Sequence, residues 1–245
     1  MFAEKLLVAL DVESGDRARA LATELRDIVG GVKVGSRLFT LEGPSLVHAI
    51  VATGARVFLD LKFHDIPHTV ATAVESAVQT GAWMINVHAS GGVPMMRAAA
   101  AAARESAARG GMPAPLLIAV TVLTSMDEDA LRATGVERPI MDQVVTLARM
   151  TQDAGLDGVV ASPWEIRAIR AACGREFAIV TPGIRRPDAG GERDDQHRTM
   201  GPAEAVRAGA SYIVVGRPII AAANPRAAAE EIVNEISSEP RATSQ

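Results

Sequence analysis

Residues 57–69 read VFLDLKFHDIPHT, and this stretch decides the fold. It begins as an apolar strand, from Arg56 to Lys62, yet Asp60, Lys62 and Asp65 fall within six positions of one another. Alternation with period two puts Asp60 and Lys62 on one face of that strand and Leu59 and Leu61 on the other. The leucines then face a helical layer, and the charges point into the mouth of a barrel, where parallel-barrel enzymes keep their chemistry.

Seven further runs share the apolar, β-rich character of this one. They are LLVALDV (6–12), GVKVGS (31–36), WMINVHAS (83–90), LLIAVTVLT (116–124), GVVAS (158–162), FAIVTPG (177–183) and YIVVGRP (212–218). Amphipathic segments such as DRARALATELRDIV and PAEAVRAGA lie between them, and glycine commonly closes a helix just before the next strand, as at Gly155 and Gly209. MMRAAAAAARESAARG is a helix by alanine propensity and carries no functional signal. Eight strand–helix alternations predict an α/β fold, a single (β/α)8 TIM barrel spanning 1–236, with 237–245 a polar tail. A doubly wound open sheet would carry a nucleotide fingerprint after its first strand, and ALDVESGD has none.

The 245 residues, 48% of them hydrophobic, suffice for one large core. A net charge of −4 gives no footprint for a nucleic-acid partner. The N-terminal MFAEKLLVALDV lacks the pattern of a signal peptide, and no apolar stretch reaches the ~18 residues of a membrane span, so a cytoplasmic protein is expected. Cys173 is the one cysteine, which excludes an internal disulfide and reads as an inert buried thiol.

Each strand end brings a polar residue to the barrel mouth. Asp11 closes the first strand, Lys33 lies on the second, and Asn86 and His88 end the fourth. Thr124-Ser125 end the fifth, while the sixth offers only Ser162. Buried ions are costly unless paired. An alternating set of Asp60, Lys62, Asp65 and Lys33 would satisfy this and would keep lysine protonated, as a proton donor rather than a base. The competing reading is an ion-pair network that only holds the barrel top. TPGIRR and VVGRP, at the ends of strands seven and eight, place Gly183, Arg185, Gly216 and Arg217 where barrels often bind phosphate. The polar loop RRPDAGGERDDQHRTMG (185–201) between them reads as a lid over a phosphorylated ligand, with Arg185 at its root and Gln196 within it.

DLKFHDIPHT resembles the Asp-x-Lys-x-x-Asp signature of the orotidine 5′-phosphate decarboxylase family, and LLVALDV, VKVGSRLF, VTVLTSM, TPGIR, DDQHR and VVGRPI continue the likeness in order along nearly the whole chain. The resemblance implies a homodimer of barrels that converts orotidine 5′-monophosphate to uridine 5′-monophosphate and CO2, the last step of de novo UMP synthesis, with no metal and no organic cofactor. It implies Lys62 as proton donor to ring carbon 6, flanked by Asp60 and by Asp65 from the partner subunit. It implies Asp11 and Lys33 at the ribose hydroxyls, with Thr69 also entering from the partner. Thr124 and Ser125 would meet the pyrimidine and Pro182 would pack on it. Arg185, Gln196, Gly216 and Arg217 would hold the phosphate. His88 has no assigned role and is expected to be a hydrogen-bonded structural histidine.

Three rivals compete. A magnesium-dependent sugar-phosphate decarboxylase or aldolase on the same barrel would want an acid where Lys33 stands. A metal-dependent sugar-phosphate epimerase would want converging histidines and carboxylates, and His64, His68 and His197 lack ligand spacing. A silent barrel that only binds a phosphorylated ligand would not need the Lys62 array.

Overall fold

Most strands alternate between two sets of apolar side chains, and the two sets go to different cores. Leu7, Ala9, Phe58, Met84, Ile118, Val180 and Val214 form one cluster. Their neighbours in sequence, including Leu6, Val8, Val57, Leu59, Ile85, Leu117 and Val215, join the larger cluster under the helices. That division requires a sheet buried on both faces, as a closed barrel is. In the computed structural model, which describes residues 2–184 and 200–238, eight parallel strands close in sequential order. They are β1 (Leu6–Ala9), β2 (Gly31–Gly35), β3 (Val57–Phe63), β4 (Met84–His88), β5 (Leu116–Val120), β6 (Gly158–Val160), β7 (Ala178–Thr181) and β8 (Tyr212–Val215). The barrel shuts where β1 pairs with β8, Leu7 opposite Val214. The expected (β/α)8 fold is therefore the observed one.

Helices cover the outside. Ser14 caps Gly15–Leu25 by accepting from Arg17 N–H. The alanine-rich helix Gly92–Arg109 buries Met95, Met96, Ala99, Ala100, Ala103 and Ala107. Its small side chains let it pack on Pro67–Gln79, the helix that follows β3. The expected helix-closing glycines Gly155 and Gly209 lie at φ 83 and 115, a region that costs glycine little. Cys173 ends the helix Ile166–Cys173, and burial raises its thiol above the ordinary range, in keeping with an inert role. The last helix runs through Ser238, so the first two residues of the expected 237–245 tail are helical, and the rest lies outside the described residues. Among the described residues no helix is long and apolar enough to cross a membrane.

Inside, the apolar cluster is a floor. Phe58 is 2% exposed, and full burial of such a side chain contributes about 1.5–3 kcal/mol. Trp83 and Tyr212 pack against the cluster, edge to face at 5.3 Å. The next inward positions along the chain carry polar residues: Asp11 above Ala9, Asp60 above Phe58 and Asn86 above Met84. The site thus stands on the floor.

The strands are shorter than the sequence runs suggest, mostly at their C-terminal ends. Apolar letters continue through Val12, Val122 and Leu123, but the ladder stops earlier. Leu10 N–H still reaches Lys33 O, and Thr121 N–H still reaches Val160 O, before each chain leaves the sheet. Asp11, Thr124, Ser125, Pro182, Gly183 and Gly216 consequently sit on loops above the barrel rather than in strands, and Arg217 begins a helix.

Candidate active site

β3 departs from regular pairing where its charges begin. Leu59 lies opposite Ile85, but the next match is Phe63 opposite Val87. Three residues of β3, 60 to 62, therefore face one residue of β4, Asn86: a bulge. Lys62 takes φ 55 there and is the one non-glycine residue with positive φ among those described. Asp60 and Lys62 share the inward face that alternation predicts, while Leu61 packs with the outer core. The bulge is an addition that alternation alone does not foresee.

Asp60 is the hub. Its side chain is 11% exposed. Oδ1 accepts from Lys62 Nζ at 2.6 Å and from Asn86 Nδ2 at 2.7 Å. Oδ2 lies 3.2 Å from Lys33 Nζ, and Lys33 Nζ is in turn 3.7 Å from Asp11 Oδ1. Burial pushes the Asp60 carboxyl up, but Lys33, Lys62 and the two hydrogen bonds outweigh it and hold the group below the usual carboxylate range. Two carboxylates and two ammoniums thus alternate across the loop after β1, β2 and β3, which makes their burial tolerable.

These four side chains line one side of a cavity of about 310 Å³. The opposite wall is apolar, from Val120, Val122, Leu123, Val160, Val180 and Pro182. Thr124, Gly183, Gly216 and Arg217 complete the lining. A Cβ on Gly216 would lie 3.4 Å from Ala9 Cβ and 3.9 Å from Asp11 Oδ2. The β8 loop therefore meets the charged array at Asp11. Arg217 opens the short helix Arg217–Ile220.

Several expected site residues are placed elsewhere. Asp65 does not join the array of its own chain, as alternation of charge along the sequence had suggested. The strand ends at Phe63, the chain turns, and Asp65 is exposed with Oδ1 accepting from Ile66 N–H at 2.6 Å. Thr69 is exposed on the first turn of Pro67–Gln79. Ser125 is exposed and does not line the cavity, whereas its neighbour Thr124 does. Arg185 and Gln196, with the expected lid at 185–199, lie outside the described residues; Ile184 and Met200 pair at the edges of that stretch.

One residue was noted on its strand without a role. Asn86 is fully buried, and its amide joins Asp60 to the Lys62 backbone. Its signal in the sequence is a polar letter at an inward position of an apolar strand. His88, two residues on, stacks at a tilt on His64 with ring centroids 5.5 Å apart. Burial first, then the nearby His64 and Lys62, lowers its pKa, so the imidazole is neutral at pH 7. His88 thus meets a ring, where a hydrogen bond was expected. Among the described residues no group of three His, Cys, Asp or Glu side chains could hold a metal ion.

Comparison with known proteins agrees with this geometry. The model of the orotidine 5′-phosphate decarboxylase / HUMPS family matches residues 4–232. The orotidine 5′-phosphate decarboxylase of Moorella thermoacetica is 56% identical over 234 residues, covering 95% of this chain and 92% of its own. That of Syntrophotalea carbinolica is 54% identical over 233 residues, covering 95% of each chain. The crystal structure of orotidine 5′-phosphate decarboxylase from Lactobacillus acidophilus superposes with a TM-score of 0.83 at 36% identity, over 94% of this chain and 98% of that one. With its sequence matched nearly end to end and its barrel reproduced in a solved relative, the chain belongs to the orotidine 5′-phosphate decarboxylase / HUMPS family.

Proposed function

We propose that the protein decarboxylates orotidine 5′-monophosphate to uridine 5′-monophosphate and CO2, in pyrimidine nucleotide synthesis, without metal or organic cofactor. The observation that carries this reading is the Lys62 ammonium, held 2.6 Å from Asp60 at the mouth of a cavity with an apolar far wall.

The order of groups around the cavity matches the order of groups in a nucleotide. Gly216 and Arg217 suit the phosphate end, to which the family resemblance adds Arg185 and Gln196. Asp11 and Lys33 come next and suit the ribose hydroxyls. Asp60 and Lys62 follow, opposite Val160, Val180 and Pro182, where a flat ring fits; Thr124, with Ser125 beside it, would meet the pyrimidine edge. Asp65 and Thr69, exposed beside Ile66 at 66% exposure, are the residues that a homodimer would bring into the neighbouring site. The partner's Asp65 would then flank Lys62 on the side that Asp60 leaves open.

The chemistry follows from charge. The bond from ring carbon 6 to the carboxylate breaks, CO2 departs, and the electron pair remains on carbon 6 in the ring plane. The π system cannot delocalise that pair, so the stabilisation must be electrostatic. Lys62, already fixed and charged, meets the developing carbanion without reorganising. It then gives its proton to carbon 6 and recovers one from solvent. Remote phosphate contacts contribute by closing the site and excluding water.

The metal-dependent branch of the same barrel fits less well. Lys33 Nζ lies within 3.2 Å of Asp60 and 3.7 Å of Asp11, where its charge competes with a cation for the same oxygens.

The test is direct. Purified protein stripped with a strong chelator is given orotidine 5′-monophosphate, and its ultraviolet absorbance is followed with the product confirmed by mass. Rapid, complete conversion is expected. No conversion by folded protein, or conversion that returns only with added magnesium, contradicts the reading.

A further inference from the structure

We propose that Asn86 is a positioning residue, whose single buried amide holds the β3 bulge and thereby aims Lys62 at the substrate. This rests on the decarboxylase reading and adds a determinant to it.

Between Leu59–Ile85 and Phe63–Val87, β3 advances four residues while β4 advances two. A regular partner for Lys62 N–H is therefore missing. Asn86 Oδ1 takes that place, accepting from Lys62 N–H at 2.8 Å. Asn86 is fully buried, and an unpaired N–H beside it would be costly. The same amide donates through Nδ2 to Asp60 Oδ1 at 2.7 Å. Only one orientation of the amide satisfies both bonds, because the flipped form would set an N–H against an N–H and an oxygen against a carboxylate.

Lys62 needs this help. Its φ of 55 crowds Cβ against the following carbonyl, a conformation that persists only when its surroundings over-determine it. Asn86 fixes the Lys62 backbone from one side and the carboxylate that receives the Lys62 ammonium from the other. Removing it loosens both ends of the same side chain. Misplacement of a reacting group by about 1 Å costs on the order of 100-fold in rate.

The experiment compares wild type, Asn86→Ala and Asn86→Asp in kcat, UMP binding, thermal midpoint and the pH dependence of kcat. For Asn86→Ala, kcat is expected to fall about 100-fold, with UMP affinity nearly unchanged. Its acid limb should move to higher pH, since Asp60 loses a bond that lowers its pKa while burial remains. The other groups facing Asp60 are Lys33 from β2, with Asp11 of the β1 loop behind it, Lys62 on its own strand and His88 from β4, and none of these is altered. Asn86→Asp keeps the shape. At neutral pH its carboxylate repels Asp60. Once protonated it imitates the amide, with a pKa raised by the adjacent carboxylate. Its activity relative to wild type should therefore rise as pH falls.

A merely structural Asn86 predicts lower thermal midpoints with kcat per folded molecule and both pH profiles unchanged, and that result overturns the proposal. Should Asn86→Ala fail to fold, the pH signature of the isosteric Asn86→Asp decides alone. Wild-type turnover in the same assay separates the two claims: its absence removes the decarboxylase reading and this inference together, while normal wild-type turnover with indifferent Asn86 variants removes the inference only.

Discussion

Lys62 Nζ and Asp60 Oδ1 are 2.6 Å apart across a single intervening leucine of β3. Both side chains reach the same cavity, although a bulge and a left-handed residue lie between regular strand on either side. The carboxylate is shared, since Lys33 approaches its other oxygen at 3.2 Å. Each ammonium is thus held by a group that the other ammonium also needs.

That sharing makes Asp60→Asn more damaging than its size suggests. The substitution keeps the shape but leaves two ammoniums around a neutral amide. We expect kcat to drop by at least about 100-fold. Stability should fall by about 2–3 kcal/mol, after discounting for the part-exposed Lys62. Acid stability gives a second readout. The native carboxyl of Asp60 titrates below its ordinary value, so its contribution is fully present above the unfolded pKa near ~3.9 and is lost as pH falls through the native one. Thermal midpoints recorded from neutral pH downward should show wild type losing its advantage over Asp60→Asn only below about pH 4. Parallel curves over that range would contradict the pairing.

Arg217 lines the same cavity as Lys62 and directly follows Gly216, which lies beside Asp11. Losing a charge-assisted contact to phosphate costs about 1.5–3 kcal/mol, or roughly 10- to 100-fold in kcat/KM. Arg217→Ala should show that loss on orotidine 5′-monophosphate and almost none on the nucleoside orotidine, measured side by side. Equal losses on the two substrates would refute a phosphate role.

At the opposite end of the barrel, Arg170 is a tie for stability rather than catalysis. Its guanidinium donates to the carbonyls of Gly174, Arg175, Phe177 and Gly209 at 2.7–2.9 Å and to Ser211 Oγ at 3.3 Å. It thereby joins the loops that feed β7 and β8. Arg170→Ala should lower stability by about 2–3 kcal/mol, visible as a fall of roughly 5–10 °C in Tm, with kcat at 25 °C unchanged. A kcat loss without a Tm change would reverse the assignment.

Much of this was legible in the letters. Alternation at Phe58, Asp60 and Lys62 against Leu59 and Leu61 identified the inward face, and eight such runs implied the barrel. Asn86 was only half legible: a polar letter at an inward position shows that a partner exists, not which one. The bulge was invisible, because Lys62 has no special propensity for φ 55 and the constraint comes from β4. Strand ends were overextended because Val122 and Leu123 remain apolar while serving as cavity wall and rim instead of ladder. Asp65 misled for a geometric reason. Three residues past Lys62 would be close on a helix, but here the strand ends and the chain turns outward. A place for it in the site would need a second subunit, as proposed above, and one chain's pattern carries no such information.

If Lys62 protonates carbon 6, turnover should collapse in Lys62→Ala. Wild type and Lys62→Ala are assayed with chelator present, on orotidine 5′-monophosphate, with UMP binding and Tm as controls for the site and the fold. A loss of about 10⁴-fold or more in kcat is expected, with UMP still bound and the barrel intact. Near-normal turnover by Lys62→Ala would contradict it.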